Sequence, residues 1–266
     1  MLTLGVNTVL FGGYDFRTAM QHIQWAGYGG AEIAAIQGMC EHLCLDTWER
    51  DAADMRAIAE DLELPITAIE EAALDEDRLL RAFEAAASLG IPVVNIGPGG
   101  SKDRPEDLDH TIDAMAKMAE RAEGFGVTLC VKAHVGAAIW NTPTTLEVLA
   151  QIDSPAFGID MDPSHIHRAG EVPKEALKKV IGRVRHVHIR DCPGPGPSPG
   201  PPELQACGRG NIDLMGYCRV LVDAAYDGPV NLEVIGANEH NVSRCAIIAA
   251  ESYGYLHACL NTCGAR

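Results

Sequence analysis

A lysine and a histidine stand near the end of an apolar stretch, TLCVKAHVG, at residues 128–136. Side chains of an extended strand alternate between two faces, so Thr128, Cys130, Lys132 and His134 share one face. Burying a charge costs several kcal/mol unless it is paired, so a packed strand has little use for an ammonium group beside an imidazole. These two side chains indicate a site for chemistry.

Strand segments alternate with helical patterns along the whole chain. Asp15 can cap the first helix, and Pro105 suits the first turn of a long helix that ends near Gly124. The eight predicted strand segments are 2–7, 31–35, 65–71, 91–100, 127–134, 156–162, 184–191 and 229–236. This alternation predicts a single (β/α)8 TIM barrel of the α/β class, with residues 1–266 forming one domain. The alternative is a doubly wound open sheet, but no dinucleotide glycine fingerprint follows the first strand.

The segment CPGPGPSPGPPELQACG, at residues 192–208, departs from this alternation. Its proline and glycine content is incompatible with regular secondary structure. It follows the seventh strand on the side where barrel enzymes place their sites, so it is predicted to lie over the barrel mouth. The alternative is that the segment is a surface loop without function.

Every predicted strand ends in a polar residue. The inward-facing ends are predicted to be Asn7, Glu32, Glu70, Asn95, Lys132 with His134, Asp162, His188 and Glu233. On the same faces lie Asp160, His186, Arg190 and Asn231. Each side chain alone has a structural explanation, such as a satisfied core histidine or a helix cap. A complete ring at the catalytic face of a barrel predicts a functional site.

Four motifs carry a family resemblance: AGYGGAEI, DPSH, HVHIRD and GRGNIDLMGYCRVLVDAAYDGPVNLEV. With them the chain resembles the xylose isomerase-like barrel superfamily, which contains sugar isomerases, sugar 3-epimerases, inosose dehydratases and endonuclease IV. The resemblance covers essentially the whole chain and implies a divalent metal on strands five to eight. The implied ligands present here are Asp162, His188 and Glu233, suited to Mn, Mg, Co or Zn. His165 matches a position that usually contacts the sugar in this superfamily, and His134 matches the histidine two residues after the usual strand-five glutamate.

Lys132 departs from the family pattern, which has a glutamate at this position of strand five. An ammonium group cannot ligate a metal and repels one. In epimerase-like members the strand-five and strand-eight glutamates exchange the substrate proton, so here Glu233 is expected to stand alone. We therefore predict that Lys132 forms an ion pair with Asp162 or Glu233, and that any divalent metal binds weakly.

The favoured function is a sugar or polyol isomerase or epimerase that transfers a proton next to a carbonyl. Glu233 would be the base, with Lys132 or a metal steadying the enediolate oxygen and His188 completing the catalytic set. The predicted substrate-binding residues are Asn7, Glu32, Glu70, Asn95, His134, His165 and Arg190. The alternatives are a dehydratase or lyase using the same enediolate, a Schiff-base enzyme built on Lys132, and a catalytically silent sugar-binding barrel.

Composition and net charge limit the kinds of partner that the protein is expected to bind. A net charge of −16 without a dense basic cluster argues against nucleic acid, and no apolar run is long enough for a membrane span. The nine cysteines contain no CxxC motif and are predicted to be reduced. The N-terminus lacks the features of a secretory signal, so the expected location is cytoplasmic. The predicted partner is a small-molecule sugar or polyol, with homo-oligomerisation left open.

Overall fold

The computed structural model describes residues 2–265 and contains a closed barrel of eight parallel strands. The barrel strands are β1 (Thr3–Asn7), β2 (Gly30–Ile36), β3 (Ile66–Ala72), β4 (Val93–Ile96), β5 (Thr128–Lys132), β6 (Phe157–Asp160), β7 (Val184–Ile189) and β8 (Pro229–Leu232). Each strand pairs in parallel with the next, and β1 also pairs with β8, which closes the barrel. The predicted (β/α)8 barrel is thus confirmed. An additional two-residue strand, Cys40–Glu41, pairs antiparallel with the end of β2.

Helices surround the barrel. They are α1 (Phe16–Trp25), α2 (Trp48–Asp61), α3 (Glu76–Leu89), α4 (Pro105–Phe125), α5 (Thr142–Gln151), α6 (Pro163–Arg168), α7 (Pro173–Val180), α8 (Pro202–Gln205), α9 (Leu214–Asp223) and α10 (Val242–Cys263). Asp15 caps α1 by accepting a hydrogen bond from the backbone N–H of Thr18 at 2.7 Å, and Pro105 is the first residue of α4. Helix α4 ends at Phe125, because Gly126 then takes the left-handed conformation with φ of 69°.

The strands divide their side chains between two environments. Outward-facing residues, such as Leu129 and Val131, join the large apolar core between the barrel and the helices. Inside the barrel, Ala68, Val93 and Cys130 form a small separate apolar cluster. Two residues further along their strands stand Glu70, Asn95 and Lys132. The period-two alternation of a strand therefore places a polar layer above the apolar one, toward the carboxyl ends of the strands.

Several strands are shorter than predicted, and at β5 and β6 this changes the position of a predicted site residue. β5 ends at Lys132, after which the chain turns and the backbone N–H of His134 binds the carbonyl of Ile139 at 2.9 Å. β6 ends at Asp160, and Asp162 is the N-cap of α6. His134 and Asp162 therefore do not continue the alternation of their strands.

The remaining global predictions concern the cysteines and the membrane. All nine cysteines are free thiols, and seven of them are buried. Among residues 2–265, no helix combines the length and apolar character that crossing a bilayer requires.

Candidate active site

Lys132 lies at the centre of a buried group that we call the lysine cluster, formed by Glu70, Lys132 and Glu233. Nζ of Lys132 donates to Oε1 of Glu233 at 2.8 Å and to Oε1 of Glu70 at 3.0 Å. All three residues are at most 4% exposed. The predicted ion pair between Lys132 and Glu233 is present, and Glu70 is a second carboxylate partner. The expectation that Glu233 would be the only carboxylate was wrong, because the barrel brings β3 toward β5 across one intervening strand.

A second cation, Arg190, holds the other side of Glu233. Its Nη1 lies 3.1 Å from Oε2 of Glu233, while Nη2 donates to Oδ2 of Asp162 at 3.2 Å and Nε donates to Oγ of Ser164 at 2.8 Å. The other oxygen of Asp162 accepts the N–H groups of Ser164 and His165 at the start of α6. Asp162 is thus a helix cap and the partner of Arg190. Lys132 has no ion pair with it.

A deeper group, which we call the histidine cluster, consists of Glu32, Asp160, His186 and His188. Nε2 of His188 lies 2.5 Å from Oε2 of Glu32, and Nδ1 lies 2.6 Å from Oδ2 of Asp160. Nδ1 of His186 donates to Oδ1 of Asp160 at 2.9 Å. All four residues are fully buried. This cluster lies directly beneath the lysine cluster, and Nδ1 of His188 is 3.1 Å from Nζ of Lys132.

Burial and neighbouring charges shift the pKa values of the lysine cluster in opposite directions. Burial alone would raise the pKa of Glu233, but Arg190 and Lys132 outweigh it and hold that pKa well below its usual value. Burial dominates at Glu70 and, despite Lys132, raises its pKa to about 7. Burial would lower the pKa of Lys132, yet Glu233 and Glu70 raise it. At neutral pH the cluster therefore holds one ionised carboxylate, one carboxylate near its midpoint and a charged ammonium.

His188 is also charged. Burial opposes its protonation, but Asp160 and Glu32 raise its pKa well above the usual value. Its two ring nitrogens each face a carboxylate oxygen. The short distance between His188 and Lys132 is therefore a contact between two cations embedded among carboxylates, not a hydrogen bond.

A pocket of about 280 Å³ opens above the lysine cluster at the barrel mouth. Its polar wall is formed by Glu70, Lys132, His134, His165, Arg168, Arg190 and Glu233. Pro197 and Pro199 contribute another part of the wall from the proline- and glycine-rich segment. Arg168 fastens this segment by donating from Nε to the carbonyl of Gly196 at 3.2 Å and from Nη2 to that of Pro197 at 2.5 Å.

The predicted site residues divide between the pocket and the layer below it. Six of them line the pocket: Glu70, Lys132, His134, His165, Arg190 and Glu233. Beneath it lie Asn7, Glu32, Asn95, Asp162 and His188, each at most 2% exposed. Asn7 donates to Glu70 and Asn95 donates to Glu32, both at 2.6 Å. These asparagines therefore orient carboxylates and do not face the pocket.

Arg168 is the charged residue of the pocket lining that sequence reasoning missed. It lies on α6 three residues after His165 and six after Asp162. Residues three apart on a helix share a face, so the helical spacing from His165 was the available signal. The ring of His165 also packs against His134, with the ring centroids 4.2 Å apart, which brings His134 into the pocket despite the early end of β5.

The donor set for a divalent metal differs from the one implied by the resemblance. Glu70, His188 and Glu233 offer ligand atoms within 4.8 Å of one another, a combination of oxygens and imidazole that suits such metals. Nζ of Lys132 lies within 3.1 Å of all three residues. His188 also has a carboxylate at each nitrogen. In this arrangement these three residues do not fit a divalent ion, because the ammonium occupies the same volume. A second group with ligand atoms within 4.8 Å of one another, formed by Glu32, His186 and His188, lies in the buried histidine cluster.

Relatives in sequence match only part of the chain. An uncharacterized protein of Methanocaldococcus jannaschii is 30% identical over 164 residues, which are 57% of this chain and 54% of the relative. The inosose dehydratase of Mesomycoplasma hyopneumoniae is 27% identical over 94 residues, 34% of this chain and 31% of the enzyme. The chain thus spans about half or less of the length of these curated relatives.

Similarity in structure extends over the whole barrel. The crystal structure of IolI protein with a bound zinc atom superimposes with a TM-score of 0.80 at 17% identity, covering 97% of this chain and 99% of that one. At this identity the match shows a shared fold. The sequence profile described as xylose isomerase-like TIM barrel matches residues 13–253, so the chain belongs to the xylose isomerase-like TIM barrel family.

Proposed function

We propose that this protein is a sugar or polyol isomerase or epimerase that moves a proton next to a carbonyl, with Lys132 as the cation that stabilises the enediolate. The observation that carries the proposal is the lysine cluster, in which Lys132 pairs with Glu70 and Glu233 at the floor of the pocket. The membership in a xylose isomerase-like family supports the same reaction class. A pocket of about 280 Å³ suits a substrate of monosaccharide size.

The two carboxylates of the cluster suit complementary roles. Glu233 is ionised and can accept the proton of the carbon next to the carbonyl. Glu70, with a pKa of about 7, can supply a proton to the opposite side of the enediolate. Environments that separate the pKa values of two neighbouring carboxylates in this way are typical of acid and base pairs.

Charge on the enediolate oxygen requires a fixed cation, and Lys132 is held ready for that purpose. Its Nζ keeps a fixed position because two carboxylates bind it, and Arg190 lies behind Glu233. Such preorganised groups are worth most in a site that excludes water. The same charge argues against a Schiff-base mechanism, since a nucleophilic lysine must lose its proton. His134 and His165 line the wall and are proposed to contact substrate hydroxyls.

A dehydratase is the second candidate, because one partial relative is an inosose dehydratase. The first step would be the same proton removal by Glu233. The enediolate would then expel a hydroxide from the next carbon, with Glu70 donating the proton that releases it as water. The two functions therefore differ only in what happens to the common intermediate.

Deuterium exchange tests the reaction class. The protein is incubated in D2O with a panel of aldoses, ketoses and inososes, and NMR follows exchange of the C–H next to the carbonyl. We expect exchange in at least one compound, and its loss in Glu233→Gln; an isomer as product supports the first candidate, and an unsaturated ketone that absorbs in the ultraviolet supports the second. Binding of a sugar without exchange would identify a silent binding barrel.

Metal affinity tests the proposed role of Lys132 as an internal cation. Lys132→Glu removes the ammonium and adds a carboxylate as a fourth donor beside Glu70, His188 and Glu233, so affinity for Mn²⁺ should rise by orders of magnitude over wild type in calorimetric titrations. The matched control is Lys117→Glu, which changes the same charge at an exposed position on α4. A wild-type protein that retains stoichiometric metal through dialysis, with no tighter binding in Lys132→Glu, would refute the internal-cation role.

A further inference from the structure

Arg168 is the one pocket cation without a carboxylate partner among the described residues. Lys132 pairs with two carboxylates and Arg190 also pairs with two. The side chain of Arg168 instead reaches only the carbonyls of Gly196 and Pro197. The residue is 7% exposed and lies in the pocket wall.

Neutral carbonyls do not compensate a guanidinium charge. A buried charge costs several kcal/mol of free energy unless an opposite charge accompanies it. The two nearby carboxylates are committed, since Asp162 and Glu233 both pair with Arg190. The described contacts of Arg168 use Nε and Nη2, so Nη1 retains its donors for another partner.

The cations that line the pocket are not all compensated, although the protein as a whole is acidic. The chain carries a net charge of −16. The pocket wall contains three cations, Lys132, Arg168 and Arg190, with the two carboxylates Glu70 and Glu233, and Asp162 beneath the wall pairs with Arg190. Burial also raises the pKa of Glu70 to about 7, so its negative charge is incomplete at neutral pH. An anionic group on a ligand would give Arg168 the partner of opposite charge that it lacks.

We infer that the substrate carries one anionic group, a carboxylate or a phosphate, and that Arg168 binds it at the wall of the pocket. This inference rests on the proposed function for the reacting end of the substrate. Arg168 lies on α6 and binds the proline- and glycine-rich segment, whereas Lys132 lies on the barrel floor. The anionic group would therefore stand away from the carbonyl and determine specificity, without a role in proton transfer. A guanidinium favours such oxyanions because it can donate two parallel hydrogen bonds.

The experiment compares ligands that differ in one group. Calorimetry measures the binding of D-glucose, D-glucuronate and D-glucose 6-phosphate to the full chain at low salt. We expect one anionic probe to bind at least about tenfold more tightly than D-glucose, which is the range of a charge-assisted hydrogen bond. The carboxylate and phosphate arms show which oxyanion the site takes. No preference for either anion over D-glucose would overturn the inference.

Two variants assign the preference to Arg168. The preference is the ratio of the affinity for the anionic probe to the affinity for D-glucose in the same protein, so a general weakening of binding cancels. Arg168→Met should reduce this ratio to about one, and Arg168→Lys should retain part of it. The control is Arg183→Met, because Arg183 also donates to loop carbonyls, those of Ile152, Ser154 and Phe157, but precedes β7 at the opposite end of the barrel. An anion preference that survives in Arg168→Met would contradict the assignment. Should Arg168→Met not fold, Arg168→Lys and the wild-type comparison still decide.

These measurements need no turnover. Anion preference without deuterium exchange would leave the inference standing and refute the proposed reaction. Exchange on neutral sugars without anion preference would do the reverse.

Discussion

The two buried clusters of this barrel contain similar chemistry but differ in access. The lysine cluster and the histidine cluster each place carboxylates around a charged side chain, Lys132 or His188, at distances of 2.5–3.0 Å. The lysine cluster forms the floor of a pocket, whereas the histidine cluster is sealed beneath it. The comparison teaches that charge compensation alone does not identify an active site. The accessible cluster is proposed to perform chemistry, and the sealed one to hold it in place.

Removing a charge from the sealed cluster should have the largest effect on stability. Asp160→Asn leaves the charged ring of His188 short of a counter-ion, and breaking a buried ion pair costs about 3–5 kcal/mol. Urea unfolding at pH 7 should show this loss, while Asp113→Asn on the exposed face of α4 should change stability by less than about 0.5 kcal/mol. His188 and His186 outweigh burial and hold the pKa of Asp160 far below its usual value. The stabilisation by Asp160 is therefore present above the unfolded pKa near 3.8 and disappears only as the pH falls through the folded value. Equal stability of both variants would remove the distinction between the clusters.

Removing the ammonium from the accessible cluster should affect turnover more than stability. Lys132→Met leaves Glu70 and Glu233 close together without the ammonium between them. Because one of the two carboxylates can take up a proton, the loss of stability is limited. Loss of the enediolate partner should lower kcat by roughly 10²–10³. Steady-state kinetics on the substrate found by exchange, with urea unfolding alongside, measures both effects. A variant with wild-type kcat would exclude Lys132 from the mechanism.

The accessible cluster should also show its own titration. If Glu70 is the acid, kcat/KM should fall about tenfold per pH unit above an inflection near pH 7. The same raised pKa means that Glu70 stabilises the folded state in its protonated form, so this contribution is lost as the pH rises from the unfolded value through 7. In Glu70→Gln the remaining activity should be low and constant over this range. A wild-type plateau extending to pH 9 would rule out Glu70 as the acid.

Shortening the proline- and glycine-rich segment, which forms part of the pocket wall, should have the smallest effect on stability. Residues 194–200 are mostly exposed or half-buried, so replacing them with a short glycine linker should leave the melting temperature nearly unchanged. Ligand binding should weaken several-fold, because Pro197 and Pro199 would no longer close the pocket. If the shortened protein binds ligand as tightly as wild type, the segment is a surface loop without a role in binding.

Much of the site could be predicted because strand alternation is a local property. Glu70 and Lys132 lie near the carboxyl ends of β3 and β5, Glu233 follows β8, and all three line the pocket. The prediction was less accurate where a strand ended early. β6 stops at Asp160, so Asp162 caps α6, and Asp160 takes the buried position beside His188. A cap and a strand end have similar sequence signatures, and the choice depends on backbone contacts that periodicity does not contain.

The sequence by itself determined the barrel and its polar mouth. Eight strand segments that alternate with helices can bury their apolar faces only as parallel strands covered by those helices. Because successive side chains of a strand point to opposite faces, the polar residue at the end of each strand then faces the barrel interior. Only the tertiary structure decided which of these residues meet. Lys132 binds Glu70 and Glu233, which lie 62 and 101 residues away along the chain. Such pairs depend on the register and closure of the barrel, which place β3, β5 and β8 around one point. The tertiary structure also places Arg168 in the pocket wall without a carboxylate partner among the described residues, which no local sequence pattern predicts.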